Sequence, residues 1–239
     1  MHGFSALPSR RAESRLYRWG ALLALLVVFA GFARTFYLKA IFETPALSGL
    51  LFTHGVLMSL WFVLFFTQGW LVAKGRTDLH RRLGVGGVAL ALLIVGVSVA
   101  TAIDAGRRGA SPAEGVPPLV FMAIPMGDVV VFAILLGVGL WLRPRPDYHK
   151  RLMLLATLSI LTPGIARFPL PGWGSGGLPL FFGLTILVVV VCVAIDTFRH
   201  HRLHPAFGWG GAFVIVMVPM RLVVAGTPMW GQFAAWLIS

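Results

Sequence analysis

Residues 83–103 read LGVGGVALALLIVGVSVATAI, an apolar run of 21 residues without a charge. A helix rises about 1.5 Å per residue, so this run is long enough to cross the roughly 30 Å hydrocarbon core of a bilayer. The apolar residues are continuous rather than alternating, which favours a helix over a barrel strand. The run therefore predicts a membrane-spanning helix.

Six further apolar stretches flank this one, and short charged or Pro/Gly-rich connections separate them. The seven predicted spans are 19–38, 49–73, 83–103, 117–142, 150–168, 178–197 and 207–226. With 58% hydrophobic residues, 12% charged residues and a mean hydropathy of +0.86, the composition leaves no soluble domain to assign. We predict an all-α membrane bundle over 19–226, with a basic segment at 1–18 and an interfacial helical tail at 227–239.

Basic residues are unequally divided between the two faces that seven spans create. One face receives 14 of the 20 Lys and Arg: Arg10, Arg11, Arg15, Arg18, Lys74, Arg76, Arg81, Arg82, Arg143, Arg145, Lys150, Arg151, Arg199 and Arg202. The other receives Arg34, Lys39, Arg107, Arg108, Arg167 and Arg221. The positive-inside rule therefore predicts a cytoplasmic N-terminus and an external C-terminus, as for a multi-pass protein of the bacterial inner membrane. The same distribution explains the net charge of +12 without nucleic-acid binding.

A six-residue motif occurs twice, as DLHRRL at 78–83 and DYHKRL at 147–152. Each copy follows an even-numbered span and opens an odd-numbered one, so both copies face the cytoplasm. Helix capping by Asp and headgroup contact by the basic pair account for the motif without a ligand. The functional alternative is that His80, His149 and His204 converge as nitrogen ligands for a metal or a heme.

Placing an ionisable residue inside a membrane span costs free energy, so the five that occur here require an explanation. They are Arg34, His54, Asp128, Arg167 and Arg221. All except Asp128 lie near the outer boundary, where an arginine can also extend to the headgroups without a partner. If they face inward, the surplus positive charge predicts an anionic or hydrogen-bond-accepting ligand, such as a heme propionate, a lipid phosphate or a quinone carbonyl. His54 is then a further candidate heme ligand.

The segment from His54 to Gln68, the run GRTDLHRRLG at 75–84 and the run HKRLM at 149–153 resemble an uncharacterised group of bacterial multi-pass membrane proteins. More distantly, these three segments are similar to membrane families near cytochrome b-561 and to cytochrome-oxidase assembly factors. The second resemblance implies heme b and electron transfer. Cytochromes of that type hold two hemes between paired histidines, whereas His54 is the only histidine here near the outer face.

Three functions follow from these patterns. The first is a heme- or quinone-linked redox or heme-handling protein, with His54, His80 and His149 as candidate ligands. The second is a transporter or lipid-handling protein with an outer-leaflet anion site around Asp128. The third is a non-catalytic subunit of a larger membrane complex, for which the small residues Gly84, Gly86 and Gly87 provide a packing surface. The lone cysteine and the lack of nucleotide-binding, zinc-protease or nucleophile motifs argue against hydrolases and ATP-driven pumps.

Overall fold

A computed structural model of the chain describes residues 10–113 and 115–239, with side chains from residue 16 onward. Most of the basic segment predicted at 1–18 therefore lies outside the described side chains. The described residues form helices and short turns without strands. The α-helices are α1 Arg10–Phe32, α2 Gly49–Ala73, α3 Thr77–Arg107, α4 Pro118–Trp141, α5 Pro146–Ser159, α6 Thr162–Ala166, α7 Gly177–His200, α8 Pro205–Ala225 and α9 Pro228–Ile238. A π-helical turn, Ala33–Tyr37, extends α1, and a 3₁₀ turn, Trp173–Gly176, precedes α7.

Within the part of the chain that the structure describes, six helical segments are long and apolar enough to cross a membrane, judged by length and composition. They are Leu16–Tyr37, Gly49–Ala73, Thr77–Arg107, Pro118–Trp141, Trp173–His200 and Pro205–Ala225. Their outward faces carry large apolar side chains, among them Val85 and Leu92, which are 75% and 69% exposed. A continuous apolar surface of this kind is stable only in contact with lipid or another protein. The helical membrane bundle expected from the sequence is therefore present.

The fifth stretch differs from the continuous span predicted at 150–168, because it is divided into α5 and α6. The helix breaks at Ile160 and Leu161, just before Pro163. Proline lacks the N–H of a helical hydrogen bond, and its ring clashes with the carbonyl four residues earlier, which here belongs to Ser159. The break follows from this single residue.

Helix α5 lies at the centre of the bundle. Leu154, Leu155 and Ala156 are completely buried, and α5 contacts α1, α4, α7 and α8. The start of α5 lies beside the start of α1, where the Lys150 ammonium is 5.3 Å from the centre of the Tyr17 ring. Further along, α6 packs against the later turns of α1. The pair α5 and α6 thus runs alongside α1 in the same direction.

Five exposed aromatic side chains lie at one end of the bundle. Trp19 lies in the first half of α1, and Trp209 lies near the start of α8. The last turns of α2, α4 and α7 carry Trp70, Trp141 and Phe198. Contacts between Tyr17 and Asp196, and between His204 and Asp147, show that these helix ends meet. A ring of exposed aromatic side chains at one level is typical of the boundary between hydrocarbon and headgroups. We call this group the aromatic belt.

The tail predicted at 227–239 forms the helix α9, which packs against α3 and α4. Ala234 is fully buried, and the indole nitrogen of Trp230 donates a hydrogen bond of 2.7 Å to the carbonyl of Leu119. Trp236 points outward and is 69% exposed. An apolar, partly exposed helix at the end of a bundle suits the membrane interface.

The closest approach between α1 and α6 depends on Gly31. A Cβ atom added at Gly31 would overlap the carbonyl oxygen of Gly164, which belongs to a backbone that has no side chain to rotate away. Small residues allow helices in lipid to approach in this way. The two glycines therefore set the distance between α1 and α6.

Gly31→Ala should lower the unfolding free energy by about 1–3 kcal/mol, the usual cost of overpacking a tight contact. Thermal unfolding in detergent measures the change. Gly96→Ala is the matched control, because no atom lies within 4 Å of its added methyl group. Alanine is also the better helix former by about 1 kcal/mol, so the control should keep or slightly raise the melting temperature. Equal effects of the two substitutions would contradict the contact.

Candidate functional site

The two copies of the repeated motif bring two histidines together. His80 lies in the first turn of α3 and His149 in the first turn of α5. Their ring centres are 6.4 Å apart, and the ring planes are inclined at 78°. These residues are 69 positions apart in the chain, so the contact depends on how the hairpins α2–α3 and α4–α5 pack. We call His80 and His149 the histidine pair.

The ring of His149 has a defined orientation. Its Nδ1 donates a hydrogen bond of 2.7 Å to the carbonyl oxygen of Gly139 in α4. This bond leaves Nε2 as the nitrogen able to bind a metal. A backbone carbonyl that holds the other nitrogen in this way is the usual support for a metal-ligating histidine.

Two unpaired polar atoms lie beside the histidine pair. Nδ1 of His80 and Oε1 of Gln68 are both buried without a hydrogen-bond partner. The amide of Gln68 packs next to Gly84, one helical turn beyond His80. A buried polar atom without a partner costs about 1–3 kcal/mol, and native proteins rarely leave one unsatisfied. The two atoms therefore lack the hydrogen bonds that buried polar atoms normally make.

His204 does not join the histidine pair. Its Nε2 lies 3.1 Å from a carboxylate oxygen of Asp147, and its Nδ1 accepts a hydrogen bond from the backbone N–H of Ala206. Both ring nitrogens are therefore engaged: Nδ1 caps the start of α8, and Nε2 contacts Asp147. Nowhere in 10–113 or 115–239 do three or more His, Cys, Asp or Glu side chains lie so that they can hold a metal ion. The three-histidine metal site considered from the sequence is not assembled in the described part of the chain.

An ion pair that the sequence reading missed lies at the same end of the bundle. Arg151 and Asp196 are 2% and 0% exposed. The guanidinium donates from Nε and Nη2 to the two carboxylate oxygens, each at 2.9 Å, and from Nη1 to the carbonyl of Asp147. The hydroxyl of Tyr17 donates to the same carboxylate at 3.3 Å. The available signal was Asp196 itself, the single acidic residue in the predicted span 178–197.

The five ionisable residues predicted to lie inside spans do not form one cluster. Arg221 is buried and pairs directly with Asp128, and its Nε donates to the carbonyl of Met217 at 3.0 Å. Arg34 is exposed and lies 5.1 Å from the centre of the Phe42 ring. The charge of Arg221 is thus neutralised within the protein, unlike the surplus positive charge inferred from the sequence.

The remaining two of these five residues are His54 and Arg167. His54 is half-buried, with Nδ1 3.4 Å from the hydroxyl of Ser98 in α3. Arg167 follows α6, donates to the carbonyl of Pro163 at 2.9 Å and lies 4.9 Å from the ring centre of Phe32. Neither residue contacts the Arg221–Asp128 pair through a hydrogen bond described here.

Removing either partner of the Arg221–Asp128 pair should destabilise the bundle strongly. Asp128→Asn leaves Arg221 as an uncompensated buried charge, which costs about 3–5 kcal/mol in proteins. Arg221→Met alone leaves the carboxylate without its partner, and the double variant Asp128→Asn with Arg221→Met should lose much less than the sum of the two single variants. Unfolding titrations in mixed detergents measure all three. Additive losses would show that the two side chains act independently.

The capping role of His204 makes stability depend on pH. Burial lowers the pKa of His204 below the ordinary 6.5, and the hydrogen bond with Asp147 only partly offsets this. The uncharged ring is therefore favoured in the folded protein. A group whose pKa is depressed on folding contributes stability above its unfolded pKa, and this contribution is lost as the pH falls.

The melting temperature should therefore fall as the pH decreases from about 7.5 to 5.5. His204→Asn should reduce this dependence, because asparagine caps a helix without titrating in that range. The exposed His201 gives the control: His201→Asn should retain the wild-type slope. An unchanged slope in the His204 variant would assign the pH dependence to other groups.

No protein family model, curated protein or solved structure matches the chain. The fold nevertheless defines the class, since six apolar membrane-length helices make this an integral, helical, multi-pass membrane protein.

Proposed function

We propose that this protein binds heme b through His80 and His149 and acts in redox or heme-handling chemistry within the membrane. The observation that supports the proposal is the 6.4 Å separation of the two ring centres. Metal–nitrogen bonds to imidazole are about 2 Å long, so two imidazoles on opposite sides of one metal have ring centres roughly 6 Å apart. The histidine pair already has this spacing.

The donor set favours a heme over a bare metal ion. Structural zinc sites use four protein ligands and catalytic sites use three. No group of three candidate ligands occurs among the described residues, so an ion held by the histidine pair would lack its remaining ligands. Heme iron carries four porphyrin nitrogens and requires only axial ligands from the protein. When bound, it supplies one-electron transfer.

The buried atoms around the pair fit a ligating role. The Gly139 carbonyl holds Nδ1 of His149 and leaves Nε2 available for a ligand. The unpaired nitrogen of His80 on α3 and the unpaired oxygen of Gln68 on α2 are a potential donor and acceptor. A hydrogen bond between them would support His80 as the Gly139 carbonyl supports His149. Both atoms would then be satisfied.

We further propose that the chain crosses the membrane seven times, with α5 and α6 together forming the fifth crossing. The pair runs beside α1, which is itself part of a membrane-length segment. An odd number of crossings places 14 of the 20 Lys and Arg on the face that bears the aromatic belt. This face is then cytoplasmic, and the C-terminus is outside.

This topology puts the histidine pair at the cytoplasmic edge of the hydrocarbon. Gly139 and Gln68 lie two residues before Trp141 and Trp70, which belong to the aromatic belt. Arg34, Arg167 and Arg221 lie at the opposite end and are too distant to hold propionates of a heme at the pair. Arg81 and Arg82 directly follow His80 in the sequence, so these two cations are nearer to the histidine pair. A membrane quinone or a neighbouring subunit is the electron partner that suits this location.

The transporter alternative has less support than the sequence pattern indicated. It depended on a cationic cavity around Asp128, and Arg221 now neutralises that carboxylate. His54 remains the alternative heme ligand, because its Nε2 is not engaged by Ser98. The experiment below separates the two positions.

Protein purified from cells supplied with heme precursor should show the reduced-minus-oxidised absorbance bands of a b-type heme. His80→Ala and His149→Ala should each abolish the bands or lower heme content several-fold, because either change removes an axial ligand. His54→Ala and His201→Asn should leave them unchanged.

Bands that survive both substitutions in the pair but disappear in His54→Ala would move the heme to the outer half. A flat spectrum from folded protein made with ample heme would reject heme binding altogether.

A further inference from the structure

A small cavity lies where α5 begins, α7 ends and α8 begins. Its volume is about 110 Å³, and it is lined by Asp147, Arg151, His200, Arg202 and His204. Every lining residue is charged or able to carry a charge. The space holds roughly three or four water molecules at about 30 Å³ each. A single phosphate group, with four oxygen atoms, is of similar size.

The inner wall of this cavity is rigid. Arg151 is 2% exposed, and both oxygens of Asp196 hold its guanidinium in place. An arginine has five N–H donors, and the hydrogen bonds to Asp196 and to the Asp147 carbonyl use three of them. Two N–H groups thus remain on a side chain that has already lost its rotational freedom. Such a donor loses little further entropy when it binds an anion.

The second copy of the repeated motif differs from the first in its surroundings. Asp78 and Arg82 are exposed, and Asp78 pairs with its neighbour Arg76. The corresponding Arg151 is buried under α7, and the corresponding Asp147 contacts His204 at the start of α8. Solvent exposure accounts for the charged residues Asp78 and Arg82 of the first copy. It does not account for the second copy, in which Asp147 and Arg151 line a polar cavity.

The position of the cavity and its two arginines favour an anion at headgroup depth. Phe198 and Trp209 of the aromatic belt lie at the end of α7 and near the start of α8, two of the three helix ends that form the cavity, so the cavity is at the level of the lipid phosphates. Asp196 already pairs with Arg151, and Arg202 is the second arginine of the lining. Against it stands the carboxylate of Asp147, one oxygen of which faces His204.

We propose that this cavity binds a phosphate group, carried either by an anionic phospholipid or by a free phosphate, through Arg202 and the two remaining N–H groups of Arg151. Forked guanidinium donors are well matched to phosphate oxygens. The imidazoles of His200 and His204 complete the wall. This site is independent of heme binding, because it shares no side chain with the histidine pair.

Native mass spectrometry of the delipidated, full-length protein tests the proposal, with phosphatidylglycerol and phosphatidylcholine as probes. One phosphatidylglycerol should bind more tightly than phosphatidylcholine. Arg202→Gln should weaken it about tenfold, because it removes a charge-assisted hydrogen bond. Arg143→Gln is the matched control, since it removes the same charge from an exposed position on the same face. It should leave affinity unchanged.

A third variant gives a signature that general surface charge does not produce. Asp147→Asn removes the carboxylate that opposes the anion but keeps an oxygen for His204, so it should tighten binding several-fold. Millimolar inorganic phosphate identifies the source: displacement of the lipid assigns the site to free phosphate, and no displacement assigns it to the lipid headgroup. Failure to bind either probe, equal losses in Arg202→Gln and Arg143→Gln, or weaker binding in Asp147→Asn would overturn the proposal.

Discussion

The buried ion pair between Arg151 and Asp196 is the interaction on which the end of the bundle with the aromatic belt depends. A charge in a low-dielectric interior is tolerated only when it is paired and hydrogen-bonded. Here the guanidinium and carboxylate satisfy each other, and Tyr17 adds a third helix to the network. Helices α1, α5 and α7 are therefore tied together at one level. Because α5 is held in this way, His149 in its first turn has a defined position.

The same constraint recurs elsewhere in the bundle. At the opposite end, Arg221 and Asp128 form a second closed pair, which joins α8 to α4. At the break between α5 and α6, the hydroxyls of Thr162 and Thr185 bond to each other at 2.8 Å. Among the described residues, four buried side-chain atoms have no hydrogen-bond partner, and two of them, Nδ1 of His80 and Oε1 of Gln68, lie beside the supported ring of His149. This location is why we propose ligand binding there.

Much of the fold can be predicted from hydropathy, because each span must be apolar to avoid the free-energy cost of placing charge in lipid. The six membrane-length helices agree with six of the predicted spans to within a few residues at most ends, although α3 begins six residues earlier than predicted. The structure of the fifth span was harder to predict, because Pro163 breaks its helix while tertiary burial keeps α5 and α6 in line. The repeated motif gave the hypothesis that His80 and His149 share a site, since both copies open helices on one face.

Side-chain pairing between helices could not be read from the chain. Whether Arg221 meets Asp128 or a ligand depends on helix rotation, and a rotation of one residue position, about 100°, changes the neighbour completely. Arg151 was counted as one of many interfacial cations, although burial makes it a structural residue. His204 resembled a ligand, but one of its nitrogens caps the start of α8 and the other contacts Asp147. Burial and capping decide these roles, and both are properties of the folded bundle.

The central claim, that two imidazoles from the repeated motif bind one heme iron, is tested most directly by electron paramagnetic resonance of the oxidised, heme-loaded protein. Two axial imidazoles give a low-spin ferric signal, and loss of either one converts the iron to a high-spin form unless another ligand replaces it. We expect a low-spin signal in the wild type and a high-spin signal, or no heme, in His80→Ala and His149→Ala. A high-spin signal in the wild type, or a low-spin signal that both variants retain, would contradict the account.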